Sequence, residues 1–255
     1  MKFLNVFWIG ITVISLSAFV PEVQAKENKT TTTKYNKAET KEIVRTRRRV
    51  RRISYRIPAQ ARANNRSRII TARGSATRRP GNSSKDFQTI LAPNHVANTI
   101  SSHPTFAVYF PETQGNYVVT LEEKGRKFNH TIWQQNLKVD KPGIKTITIP
   151  KNIAGLQTGK DYRFSVKRVL NPNDRSQDVV AQVWLQKVEI SPQVAAKIAK
   201  MTDPSERAIA LAKEAIWFDS IASLVEPNDP VARELLANLL EQVGLQEAQK
   251  VATAN

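Results

Sequence analysis

Asp161-Tyr-Arg-Phe-Ser-Val-Lys-Arg-Val-Leu170 and Val179-Val-Ala-Gln-Val-Trp-Leu-Gln-Lys-Val-Glu-Ile190, joined by Asn171-Pro-Asn-Asp-Arg-Ser-Gln-Asp178, read as strand, loop, strand. In the first strand Tyr162, Phe164 and Val166 alternate with Arg163, Ser165 and Lys167, the period of a half-buried strand. The loop is built of turn formers, and Pro172 has no N–H to give to a ladder. The return strand is apolar on both faces, with Val179, Ala181, Val183 and Leu185 on one side and Val180, Trp184, Val188 and Ile190 on the other. A strand of that kind needs cover twice. The expectation is a sheet core on one side and C-terminal helices docked on the other through Trp184, Val188 and Ile190.

Upstream, short alternating segments follow one another at even spacing. Phe87, Ile90 and Leu91 form a first edge. Phe106, Val108 and Phe110 lie between Pro104 and Pro111, and Tyr117, Val119 and Leu121 follow. Glu122-Glu-Lys-Gly125 then turns into Phe128, His130 and Ile132, and Ile144, Ile147 and Ile149 run from Gly143 to Pro150. Strands of this length with turn chemistry between them predict an antiparallel β-sandwich over residues 86–190. Leu156-Gln-Thr-Gly-Lys-Asp-Tyr162, just before a strand, resembles the tyrosine corner of immunoglobulin and fibronectin type III domains. The resemblance implies an immunoglobulin/fibronectin-III-like sandwich in which the Tyr162 hydroxyl bonds to an upstream backbone group. A jelly-roll-like sandwich of the same strand count is the alternative.

Residues 191–255 read as helix. Ser191-Pro192, Asp203-Pro204 and Asp229-Pro230 each place a capping side chain before a proline at the first helical position. Asp203-Pro-Ser-Glu206 also fits a capping box. A single helix is predicted over 204–225, with Trp217 among its buried residues. Another runs from Pro230 to about Val243 and ends at Gly244, with a short one after it. The fold class expected is mainly β with an α tail. A bundle of three to four helices packs on the sandwich, and 86–255 form one structural unit.

The net charge of +17 is unevenly placed. Residues 26–85 hold 19 Lys+Arg against 3 Asp+Glu, whereas residues 86–255 hold 19 against 18. The basic stretch has few apolar residues to bury and is expected to be a disordered linker. Its arginines Arg47, Arg48, Arg49, Arg51 and Arg52 suit bidentate pairing with phosphate or carboxylate, so this run is the candidate site for an anionic partner. A solvated spacer is the plainer reading. A lone alternating strand at Arg51-Ile53-Tyr55-Ile57 is a further option, but not the favoured one. Ahead of this stretch, Lys2 and the apolar run Phe3 to Val20 lead to Val23-Gln-Ala25, the pattern of a secretory signal over residues 1–25 cleaved between Ala25 and Lys26. An uncleaved anchor is the alternative. Export places the mature chain, without a transmembrane span, in the periplasm or at the cell surface. The expected partner is an anionic envelope lipid or polymer, or another envelope protein. Nucleic acid suits the same arginine chemistry, but an exported chain rarely meets it.

No catalytic constellation stands out. The chain has no cysteine, which excludes disulfides and thiolate chemistry. His95, His103 and His130 lack metal-ligand spacing, and there is no phosphate loop or nucleophile elbow. Neither a catalytic residue nor a cofactor or metal site is assigned. The expectation is a non-enzymatic binding or scaffold module; the alternative is an envelope hydrolase with an acidic site at Asp174, Arg175 and Asp178.

His103-Pro-Thr-Phe-Ala-Val-Tyr-Phe-Pro111, the 171–178 loop, Val183-Trp-Leu-Gln-Lys-Val-Glu189, Glu206-Arg-Ala, Ile216-Trp-Phe-Asp219 and Leu240-Glu-Gln-Val-Gly-Leu245 together resemble the cyanobacterial family known as domain of unknown function 928. That resemblance, over about residues 88 to 248, implies export from a cyanobacterium and a β-rich half followed by helices, and no assigned activity. Members of that family carry a cysteine at the position of Asn171 and another upstream of the first strand; both are missing here.

Overall fold

The described residues form nine strands, the longer of them carrying the period-two apolar patterning. They are β1 (Thr71–Ser75), β2 (Thr89–Ile90), β3 (Ala97–Thr99), β4 (Thr105–Phe110), β5 (Gly115–Glu123), β6 (His130–Val139), β7 (Gly143–Thr148), β8 (Asp161–Val169) and β9 (Val179–Lys187). Helices α1 (Pro192–Ala199), α2 (Pro204–Lys213), α3 (Trp217–Val225), α4 (Pro230–Gln242) and α5 (Gln246–Ala254) follow. The structure, a computed structural model, describes residues 52–59, 61, 71–75, 88–111, 115–227 and 229–254, all within the compact unit Val50–Asn255. The chain is mainly β with a helical C-terminal part.

Hydrogen bonding links the strands in the order β6-β5-β8-β9-β1-β2-β4-β7, divided into two sheets that share β1. All of these pairs are antiparallel. The second edge of β9 is divided between two partners. β1 meets it antiparallel at Val180 and Gln182, and β3 runs parallel to it from Leu185 to Lys187.

Helices and strands share one core. Phe106 of β4 stacks on Phe164 of β8 with ring centroids 3.8 Å apart, and meets Phe218 of α3 edge-on at 5.0 Å. Trp217 is fully buried and its Nε1 donates to the Leu91 carbonyl at 2.8 Å. Gln88, also buried, donates from Nε2 to the carbonyls of Val166 and Val179 and so joins β8 to the start of β9. Tyr162 is buried as well, and its hydroxyl accepts from the Gln157 N–H at 2.9 Å.

The three capped helix starts are present. Ser191 accepts from Val194 N–H, Asp203 from Ser205 N–H and Asp229 from Ala232 N–H, each with proline in the first turn. Gly244 follows α4 with φ +76, and Leu245 N–H returns to the Leu240 carbonyl, closing a Schellman motif.

Four expectations are corrected. The single helix over 204–225 is two, α2 and α3, so the described helices number five rather than three to four. The break is a second Schellman motif with alanine where glycine is usual. Ala215 has φ +63, its N–H reaches the Ala212 carbonyl, and Ile216 N–H reaches Leu211. Leu211 and Ile216 then share one apolar cluster, and that contact helps hold alanine in the left-handed region. Second, Trp184 does not receive the helices. It lies on the outer face of β9 beneath Arg163 and Lys124, whose cationic ends sit 5.8 and 6.0 Å from its ring. Arg163 is held there by Glu122. Cationic side chains thus cover the second face of β9 at this point; Val188 and Ile190, past its end, do pack with Ile198, Leu211 and Ile216.

Third, Phe128 is not an inward strand residue. β6 starts at His130, and Phe128 sits in the preceding loop, 85 % exposed. Fourth, the disordered-linker reading of 26–85 fails for its described portions. Ile53 is 3 % exposed, Ala61 is buried, and residues 71–75 form the strand that belongs to both sheets. The rest of that stretch lies outside the described residues. So do the signal segment 1–25, its Ala25–Lys26 cleavage point, and Arg47, Arg48, Arg49 and Arg51.

Candidate binding groove

Arg52 is exposed, and the next residue, Ile53, enters the core. Ile53 and Tyr55 pack into the core, and the segment is held by groups from distant elements. Gln242 on α4 acts as an amide clamp: its Nε2 donates to the Ile53 carbonyl, and its Oε1 accepts from Tyr55 N–H, both at 3.0 Å. Arg56 N–H donates at 3.1 Å to the Ala212 carbonyl at the end of α2, which also accepts from the Ala215 N–H of the turn. The Tyr55 ring meets Trp217 edge-on at 4.7 Å and stacks with His95, whose Nε2 lies 3.0 Å from the Tyr55 hydroxyl. Burial pushes Tyr55 well above the usual tyrosine value and lowers His95, so both partners are neutral near neutral pH. A neutral pair of this kind fastens two elements through one bond and two rings.

This docked segment forms one wall of an open groove of about 1010 Å³. The other walls are Val188–Ser191 at the end of β9 and the Glu214–Ile216 junction between α2 and α3. The left-handed turn at Ala215 brings Ile216 beside β3, where it forms a parallel bridge with Asn98. Arg56, Glu189 and Glu214 contribute charges of both signs, and Ile57, 47 % exposed, contributes apolar surface. The groove is polar and open, and it suits an extended chain better than an enclosed small molecule.

Asp219 ties the start of α3 to the end of β3. In the first turn of α3, its carboxylate accepts from Ile100 N–H at 3.1 Å and bonds to Thr99, at the end of β3. Burial raises it above its ordinary value, although the bonds from Thr99 and Ile100 and the charge of Arg207 act the other way. The folded state therefore holds this proton more readily than the unfolded chain. The contribution to stability is complete below the ordinary carboxylate range and is lost as pH rises through the raised folded value. Asp219→Asn keeps an acceptor and removes the ionisation. Relative to the parent chain it should gain unfolding free energy between about pH 4 and pH 7. Urea titrations at both values check this; parallel pH profiles would contradict it.

The 171–178 loop is closed on itself. Asp174 accepts from the Ser176 N–H and hydroxyl and from Gln177 Nε2, and Arg175 pairs with Asp178 at 2.7 Å. Asn171 accepts from Asn173 N–H. The bonds from Ser176, then Gln177, hold Asp174 below its ordinary value, and a carboxylate held low stays ionised rather than delivering a proton near neutral pH. Among the histidines, His95 meets Tyr55, His103 Nε2 lies 3.2 Å from the Ile153 carbonyl, and His130 is exposed at the start of β6.

Of the arginines singled out in the sequence, only Arg52 lies among the described residues, at the mouth of the docked segment. The profile of the family described as Domain of Unknown Function (DUF928) matches residues 72–254. The chain belongs to the DUF928 family. The match begins in β1 and reaches the last helix, so the DUF928 region contains both sheets and all five helices, whereas the docked segment 52–61 precedes it. No match was found among curated proteins or among solved structures. The docked segment was the feature sequence reasoning missed. Its only signal was the alternation of Ile53, Tyr55 and Ile57 inside an arginine-rich run.

Proposed function

We propose that this DUF928 chain is an exported envelope protein that works as a non-enzymatic binding or scaffold module. Its basic stretch, led by Arg47, Arg48, Arg49, Arg51 and Arg52, holds an anionic lipid or polymer of the envelope. Another envelope protein with an acidic segment is the alternative occupant. The observation that carries this reading is the segregation of charge: a surplus of 16 positive charges in residues 26–85 beside a body of net +1. The docking of Ile53 and Tyr55 fastens the chain directly after Arg52, the last residue of this run. An immunoglobulin/fibronectin-III-like fold is part of the proposal. It is supported by the strand order β2-β4-β7 in one sheet and β6-β5-β8-β9 in the other, and by the bond from Gln157 to Tyr162 at the start of β8. The envelope hydrolase is weighed down by the bonds that hold Asp174 within its own loop and by the pairing of Arg175 with one carboxylate oxygen of Asp178, although the other, Asp178 Oδ1, is buried without a partner. Periplasm or cell surface remains the proposed location; among the described residues no helix is long and apolar enough to cross a membrane.

The test is flotation of the full chain with vesicles containing phosphatidylglycerol at low and high salt. Binding at low salt that is lost at high salt is the expected result. Retention at high salt would move the binding from the arginines to the body, and absence of binding to these vesicles and to envelope polymer alike would contradict the proposal.

A further inference from the structure

The tip of the β5–β6 hairpin shows a feature that neither the core nor the groove uses. From Lys124 to Phe128 every residue is exposed, and Phe128 is 85 % exposed. One exposed apolar side chain is ordinary on a protein surface, so the weight here falls on the turn that presents Phe128 and on the cations beside it. The tip is shaped by its backbone. A Cβ on Gly125 would come within 2.0 Å of the Phe128 carbonyl oxygen, so only glycine permits this close approach. Phe128 is therefore presented by a built turn.

The charges around it are arranged in two tiers. At the base, the acidic residues are paired: Glu122 with Arg163, Glu123 with Lys160, and Asp161 with Lys124. Beyond them, Arg126 and Lys127 take part in no ion pair among the described residues. The tip thus offers an unpaired aromatic ring beside two unpaired cations, above a neutralised base.

We infer that this hairpin tip docks on an anionic lipid bilayer, with the Phe128 ring below the headgroups and Arg126 and Lys127 on lipid phosphates. A soluble polyanion would satisfy the two cations and leave the ring in water, whereas a bilayer surface satisfies both. The inference deepens the proposed function by naming a bilayer as the anionic partner and by adding a contact separate from the Arg47–Arg52 run. It rests on that reading only for the encounter with envelope lipid.

The test uses the full chain with Phe128→Trp, an exposed position where the change leaves the core untouched. The fluorescence difference between this variant and the parent, which carries Trp8, Trp133, Trp184 and Trp217, reports on the tip alone. Vesicles of phosphatidylglycerol with phosphatidylcholine, brominated in the acyl chains, should shift that difference signal to the blue and quench it. Phosphatidylcholine vesicles and soluble polyphosphate should do neither. Adding Arg126→Gln and Lys127→Gln should raise the lipid concentration for half-effect by about fivefold for each charge removed. Flotation of Phe128→Trp with anionic vesicles without quenching overturns the inference and leaves the proposed function standing. A difference signal that responds to polyphosphate as strongly as to vesicles overturns it in favour of a soluble polymer. Absence of flotation overturns both the bilayer contact and the lipid form of the proposed function.

Discussion

Trp217→Ala should destabilise the chain by about 5 kcal/mol, the largest effect expected of any single substitution. Removing a fully buried tryptophan costs about 3–5 kcal/mol in lost burial and residual cavity. The Leu91 carbonyl, which accepts from the indole at 2.8 Å, would lose its partner at a further cost of about 1–3 kcal/mol. The same ring is the edge against which Tyr55 rests, so the docked segment 52–61 should loosen with it. Trp217→Phe separates the two parts. It retains most of the ring volume and loses the N–H, and should cost about 1–2 kcal/mol. Urea denaturation of both variants gives the numbers. A Trp217→Ala chain within about 1 kcal/mol of the parent would mean that the helices do not share the core of the sheets.

Replacing Arg47, Arg48, Arg49, Arg51 and Arg52 together by glutamine should weaken binding to anionic vesicles about three-thousandfold at low salt. Each basic side chain near such a surface contributes about 1 kcal/mol, and every 1.4 kcal/mol is about tenfold in affinity. The effect should shrink as the Debye length falls from about 10 Å at 0.1 M salt to about 3 Å at 1 M. Substitution is the proper tool here. A truncation to Asp86 would also remove β1 and the buried Ile53, and would report on the fold rather than on charge. The measurement is vesicle affinity at several salt concentrations; a loss below tenfold at low salt would transfer the binding to the body.

The strands were legible where the information is local. Tyr162, Phe164 and Val166 alternate with polar residues and are all buried, Phe164 against the Phe106 ring, although Ser165 between them is buried as well. Helix starts were legible for the same reason, because a capping side chain acts on an N–H two or three residues away. What escaped was decided at long range. Ile53 and Tyr55 are held by Gln242, nearly the whole folded length of the chain away, and nothing near them announces it. β1, Thr-Ala-Arg-Gly-Ser, has no apolar period and exists by pairing with β9 and β2. The break between α2 and α3 was hidden because alanine occupies the left-handed position that glycine usually marks. Trp184 was placed on the correct face of β9, but its cover came from Arg163 and Lys124 rather than from helices. The groove was illegible because two of its three walls are among these surprises, the docked segment and the Ala215 turn.

Amide hydrogen exchange at Tyr55 and Arg56 tests most directly whether the basic stretch is fastened into the body. Their N–H groups donate to the Gln242 side chain and the Ala212 carbonyl, so both should exchange far more slowly than an unstructured chain. Exchange at the unstructured rate, while the amides of β8 stay protected, would show a free tether and contradict the account.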